Sequence, residues 1–151
     1  MKKILIAMLC TLLLIFSTQP CFALETDDGC VVYSHTETLA DGITLVREII
    51  LIDSQSRSMT KAYTDKHTYS HNGEVIAEIW IDATFRYDTQ TVSVVSKSVS
   101  KCDTYDGWSF KQSSFTSSGG TVSLTGKLTK LLVLNANVNI SLSCDKNGNI
   151  S

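Results

Sequence analysis

The side chains best suited to chemistry flank a single turn. Tyr63, Asp65, His67 and Tyr69 precede Asn72-Gly73, and Glu78, Trp80 and Asp82 follow it, each set spaced by two. An Asn-Gly pair between such runs predicts a two-residue hairpin, because both residues tolerate positive φ. Its register would set His71 opposite Glu74, Tyr69 opposite Ile76, His67 opposite Glu78 and Asp65 opposite Trp80, with Tyr63 opposite Asp82 one pair farther out. Tyr63, Tyr69 and Trp80 would then stand on one exposed face among Asp65, His67, Glu78 and Asp82. Exposed aromatic rings beside carboxylates suit a sugar, whose apolar face stacks while its hydroxyls bond to the acids. The same pattern is met by an ordinary surface whose cross-strand pairs contribute about 0.2–1 kcal/mol each, or by a face packed under another strand or loop.

Other chemistry is poorly served by the spacing. His67 and His71 would share zinc on a helix, but four residues along a strand separate them by roughly 13 Å. Asp145-Lys146-Asn147-Gly148-Asn149 opens like a calcium loop, yet Ile150 stands where glycine is needed and the sequence stops at Ser151. It reads as a turn, and no metal or cofactor is expected. No Gly-x-Ser-x-Gly elbow occurs among the serines. Cys30 and His35 have no neighbour that would lower the thiol pKa. Asp65, Glu78 and Asp82, as carboxylates on an open sheet face, lack the burial that would keep one protonated for acid catalysis. No catalytic residue is expected. Trp108, alternating with Phe110, reads as a core anchor.

The elements that position these residues are strands. Val75, Ala77, Ile79, Ile81, Ala83, Phe85 and Tyr87 form an apolar stripe interleaved with mostly polar residues, the period of a strand with one buried face. Leu132 to Cys144 repeats it with asparagine and serine outward, and Val122, Leu124, Gly126 and Leu128 give a shorter version. Val31 to Thr38 and Ile43 to Asp53 read as two strands joined at Asp41-Gly42. Asp106-Gly107, Gly119-Gly120 and Asn147-Gly148 mark further turns. Ser113 to Gly120 reads as a loop. The supposed inner face of the strand before Asn72, namely Ala62, Thr64, Lys66, Thr68 and Ser70, is polar, which suggests an edge strand. About eight strands, in a chain whose one proline is Pro20, predict an all-β antiparallel sandwich, with a small barrel as alternative.

The first 23 residues read as an export signal: Lys2 and Lys3, an uncharged apolar run from Ile4 to Phe16, then a polar segment ending Cys21-Phe22-Ala23. The run is shorter than the roughly 20 residues of a membrane-spanning helix, so no transmembrane anchor is expected after cleavage. Residues 24–151 are left as one domain, secreted or held in the cell envelope. The formal net charge is −2, and loss of Lys2 and Lys3 takes it to −4, which disfavours nucleic acid as a partner. Five cysteines include Cys10 and Cys21 of the signal, leaving Cys30, Cys102 and Cys144 in an oxidising compartment. Cys144 shares the phase of Leu142 and Ile140, and Cys102 that of Val92 and Val94, so a Cys102–Cys144 disulfide is expected. Cys30 would stay free, able to join two chains.

The stretches Gly107-Trp108-Ser109-Phe110, Ser117 to Leu128 and Ser141-Leu142-Ser143-Cys144-Asp145 resemble small exported proteins of Gram-positive bacteria whose role is uncharacterised. The resemblance implies a bacterial, exported, β-rich protein and carries no activity. These observations together lead to a secreted, noncatalytic β-sandwich that binds a protein or glycan partner. A carbohydrate- or cell-wall-binding module using Tyr63, Tyr69 and Trp80, and a bacteriocin-like effector, are the alternatives.

Overall fold

Alternation of apolar and polar residues gives antiparallel strands throughout the computed structural model, which describes residues 29–54, 59–131 and 133–151. The proposed signal at 1–23 lies outside the described residues. The strands are β1 (Cys30–Thr38), β2 (Ile43–Ser54), β3 (Thr60–His71), β4 (Glu74–Asp88), β5 (Thr91–Thr104), β6 (Ser109–Ser118), β7 (Thr121–Lys130) and β8 (Leu134–Ser143). They form an all-β sandwich of two meanders, a five-stranded sheet ordered β1-β2-β3-β4-β5 and a three-stranded sheet ordered β6-β7-β8. No ladder closes them into a barrel among the described residues.

Turn chemistry sets the hairpins. Asn72 (φ 55°) and Gly73 (φ 85°) hold consecutive positive φ values, the conformation that matches the twist of flanking strands, and Asp106 (φ 52°) and Gly107 (φ 75°) hold a like pair where the chain passes from β5 of one sheet to β6 of the other. The expected loop at Ser113–Gly120 is instead the second half of β6, which runs to Ser118 before turning at Gly119-Gly120. Ser113, Ser117 and Ser118 are exposed and Ser114 is half-buried on this edge strand, where nothing demands apolar side chains.

The core lies between the sheets. Ala77, Ile79, Ile81, Ala83 and Phe85 of β4 are each no more than 2% exposed, and they face Val122, Leu124 and Leu128 of β7 and Val138, Ile140 and Leu142 of β8. Gly126 sits in phase with that β7 stripe, and the Phe110 ring fills the space a side chain would take there. One end of the sandwich is closed by Trp108, 5% exposed, with the His71 ring edge-on at 6.2 Å. Cys144 and the turn after it close the other end.

That second end turns on Gly120. Its carbonyl accepts from Cys144 N at 2.8 Å, while the Gly119 carbonyl accepts from Val94 N at 3.2 Å, so one turn ties the two sheets together. A Cβ on Gly120 would lie 2.4 Å from the Cys144 carbonyl oxygen and 2.6 Å from a Val92 methyl. Gly120→Ala is therefore expected to cost about 1–3 kcal/mol, read as a lower urea midpoint with an unchanged slope. An unaltered midpoint would show that the turn yields freely.

The same geometry removes the expected disulfide. Cys102 and Cys144 carry free thiols, Cys102 exposed and Cys144 buried. Phase was read correctly, since the two one-residue register shifts of β5 add up to two and restore the alternation, and Cys102 pairs with inward-facing Ile79. Position along the strand was not. Cys144 lies by Gly120 and Val92. Cys102 is ten residues from Val92, roughly 30 Å along β5, whereas a disulfide needs Cα atoms within about 7 Å.

Candidate functional site

The Asn72-Gly73 turn forms as expected, with His71 opposite Glu74 and Ser70 opposite Val75, but Tyr69 then pairs with Ala77. Ile76 is the extra residue of a β-bulge. Its side chain is 2% exposed and that of Ala77 fully buried, so the bulge lets two consecutive apolar residues reach the core. Beyond it, Thr68 faces Glu78, His67 faces Ile79, Lys66 faces Trp80, Asp65 faces Ile81, Thr64 faces Asp82 and Tyr63 faces Ala83. A one-residue slip exchanges the faces of a strand.

The expected constellation therefore divides. Tyr63, Asp65, His67 and Tyr69 lie in the core, none more than 4% exposed, while Glu78, Trp80 and Asp82 remain on the outer face. Burial pushes the Tyr63 hydroxyl up to about 12 and raises that of Tyr69, so neither ring is a surface platform. Nor is β3 an edge strand. It is the middle strand of five, and its polar residues Thr64, Lys66 and Thr68 form part of the outer face.

On that face Trp80 is flanked by lysines from both neighbouring strands. Lys66 of β3 and Lys101 of β5 are its cross-strand partners, with Nζ atoms 4.2 and 4.5 Å from the ring. Trp80 Nε1 has no hydrogen-bond partner among the described residues. Lys101 also donates to Glu78 Oε2 at 2.6 Å, and Tyr105 Oη donates to the same oxygen at 2.8 Å. These two contacts hold the Glu78 carboxyl below its usual range. Asp82 Oδ1 accepts from Thr64 Oγ1 at 2.7 Å and Ser100 Oγ at 3.0 Å. Ile52, Thr64, Lys66, Trp80, Asp82 and Ser100 line a shallow depression of about 230 Å³. No strand of the three-stranded sheet covers this face.

The inner face holds a second polar cluster, which the sequence reading did not contain. Arg47 Nε and Nη2 donate to the two oxygens of Asp65 at 3.0 and 2.8 Å, and Nη2 also reaches the Ser141 carbonyl of β8 at 2.9 Å. His67 Nε2 approaches Asp65 Oδ1 at 3.1 Å off hydrogen-bond alignment, and Nδ1 has no partner among the described residues. The Tyr33 ring lies over the guanidinium at 5.5 Å. Burial alone would raise the Asp65 carboxyl, but the His67 and Arg47 contacts outweigh it and hold it down. A signal existed: Ile43, Leu45, Arg47, Ile49 and Leu51 share one phase, so Arg47 interrupts an inward stripe and must find a counter-charge.

The remaining sequence candidates stay apart. Cys30 and His35 are five residues apart on β1, roughly 17 Å. His71 packs on Trp108 rather than beside His67. Both Asp145 oxygens are engaged by the chain itself: Oδ1 accepts from the backbone N–H groups of Asn147 and Asn149, and Oδ2 from Asn149 Nδ2. These contacts make the segment a turn and hold the Asp145 carboxyl down.

Fold and site together define an all-β sandwich with a polar and aromatic sheet face that no other described strand covers. A scan of family models returns no match, and neither curated proteins nor solved structures return a significant one.

Proposed function

We propose that the protein is a secreted, noncatalytic binding module that holds a cell-wall glycan on the outer face of its five-stranded sheet. One observation carries the reading: among the described residues Trp80 stands on an open face with hydroxyl, carboxylate and ammonium groups around its edge, in a depression of about 230 Å³. That volume falls below the roughly 300–1,000 Å³ of pockets that enclose a small ligand. An open, shallow surface suits contact with part of a polymer. With lysines beside the ring, recognition rests on hydrogen bonds from Thr64, Lys66, Asp82 and Ser100 as much as on stacking. The chemistry of the described residues also supports binding over catalysis. Glu78 and Asp65 are held ionised, and burial pushes the thiols of Cys102 and Cys144 up rather than activating them.

Tryptophan fluorescence during titration with soluble wall fragments and a polysaccharide panel tests this. Wild type is expected to show a saturable change that Trp80→Ala abolishes. Loss of two cation–π contacts and some packing limits the stability cost of that variant to about 1–2 kcal/mol. A response that survives Trp80→Ala, or none in wild type, would sink the glycan reading.

A further inference from the structure

Among the described residues, the sandwich is open along the side where β1 and β8 are the edge strands of their sheets. β8 is an edge strand. On its free side Ser143 exchanges both backbone hydrogen bonds with Ser151 at 2.9 Å, and Arg47 Nη2 meets the Ser141 carbonyl. Alternation along an antiparallel strand then turns the N–H and C=O groups of Asn135, Asn137 and Asn139 the same way. Leu134–Ser143 contains no charged residue and no proline, so this edge lacks the guards that normally block pairing.

Above it, among the described residues, only Asn149 and Ile150 approach β1 from beneath, beside Val32 and Tyr33. Tyr33, His35 and Glu37 pair with Ile49, Arg47 and Leu45 of β2 and share their inward phase. Ile49 and Leu45 are buried, yet every β1 residue after Cys30 is exposed. Among the described residues the three-stranded sheet therefore reaches no farther than β2, where Arg47 meets Ser141, and one more strand at the usual spacing of about 4.8 Å would lie under β1.

We propose that this slot is a peptide-binding site: an extended, uncharged segment of a partner protein, alternating apolar and polar residues, adds antiparallel to β8 beneath β1. Ser151 already occupies the first rung in that direction. Continuing the ladder would extend the three-stranded sheet to four and cover the inward side chains of β1. A second copy pairing β8 to β8 does not fit, because its own β1 would meet this chain's β1 above the seam. The slot lies on the opposite side of the five-stranded sheet from Trp80 and is independent of the glycan reading.

The probe is a fluorescein-labelled ten-residue peptide copying β8, whose alternation sets apolar against apolar when it pairs antiparallel with the strand. Anisotropy is expected to show saturable binding to the protein, unchanged in Trp80→Ala. Asn139→Pro removes an edge N–H without touching a bond to β7 and is expected to weaken binding about tenfold or more. A peptide N-methylated at the amides facing β8 should weaken it similarly on wild-type protein, which needs no folded variant. Hydrogen exchange at Asn137 and Asn139 should slow on saturation. Absence of saturable binding, or binding indifferent to both Asn139→Pro and N-methylation, overturns the proposal. So does a peptide-free dimer by sedimentation that Asn139→Pro dissolves, which would make the occupant a second copy.

Discussion

Asp65→Ala is expected to be among the most destabilising single substitutions in this chain, costing about 3–5 kcal/mol. The carboxylate is fully buried and receives two guanidinium hydrogen bonds. Its removal leaves the Arg47 charge, 20% exposed, facing a His67 ring that is 3% exposed. Arg47 keeps the Ser141 carbonyl, the Tyr33 ring and some access to water, which places the loss toward the lower end of that range. Replacing both partners together, Arg47→Met with Asp65→Leu, should recover most of the loss, because two desolvated charges give way to apolar contacts of similar volume. Urea denaturation of the two variants separates the outcomes. A single-variant loss under about 1 kcal/mol would mean that water reaches the cluster freely.

The same carboxylate gives a pH dependence with a definite sign. Its folded pKa lies below the usual carboxylate value, so the folded state binds fewer protons there than the unfolded chain near pH 4. The stabilisation is fully present above the unfolded value and is lost as pH falls through the folded one. Wild type should therefore lose stability on acidification below about pH 4 more steeply than the double variant. Parallel curves would remove Asp65 as the cause.

The pair also bears on why β2 and β3 adopt one register. Slipping β3 by one residue would carry Asp65 and His67 to the outer face and Lys66 inward, away from a counter-charge for Arg47. The buried pair thus penalises the slip that a largely polar β3 would otherwise tolerate.

That register is also where sequence reasoning stopped short. Strands and turns were legible because each rests on local chemistry: β4 shows its stripe from Ala77 to Phe85, and Asn72-Gly73 and Asp106-Gly107 take the positive φ their residues permit. The bulge at Ile76 was not, since Val75-Ile76-Ala77 is apolar at every position and offers no alternation from which to count. A single uncounted residue moved Tyr63, Asp65 and Tyr69 from a supposed binding face into the core. Lys66 gained its place beside Trp80 by the same shift and Lys101 by the separate β4–β5 register, and only cross-strand pairing could reveal them. Cys102 shows the complementary limit: phase predicted its face, but distance along β5 depends on where the other sheet crosses.

Trp108→Ala is the second large effect, expected to cost about 3–5 kcal/mol, and it gains meaning beside Trp80→Ala. The two tryptophans of the chain differ in environment more than in chemistry. Trp108 sits where β5 passes to β6: its backbone N–H donates to the Tyr105 carbonyl at 3.0 Å, Tyr105 N donates to the Ile76 carbonyl, and the His71 ring meets the indole edge-on. Truncation there empties one end of the core at the point where the chain leaves one sheet for the other, and the tied backbone cannot collapse to fill the space. Trp80 lies on the outer face between two lysines, so its truncation exposes surface without opening a cavity. Stability should fall steeply in Trp108→Ala and modestly in Trp80→Ala, while glycan response should vanish only in Trp80→Ala. Each variant keeps one tryptophan, so emission from Trp80→Ala reports unfolding of the buried indole. Equal midpoints for the two variants would place both rings in the core and remove Trp80 from any binding face.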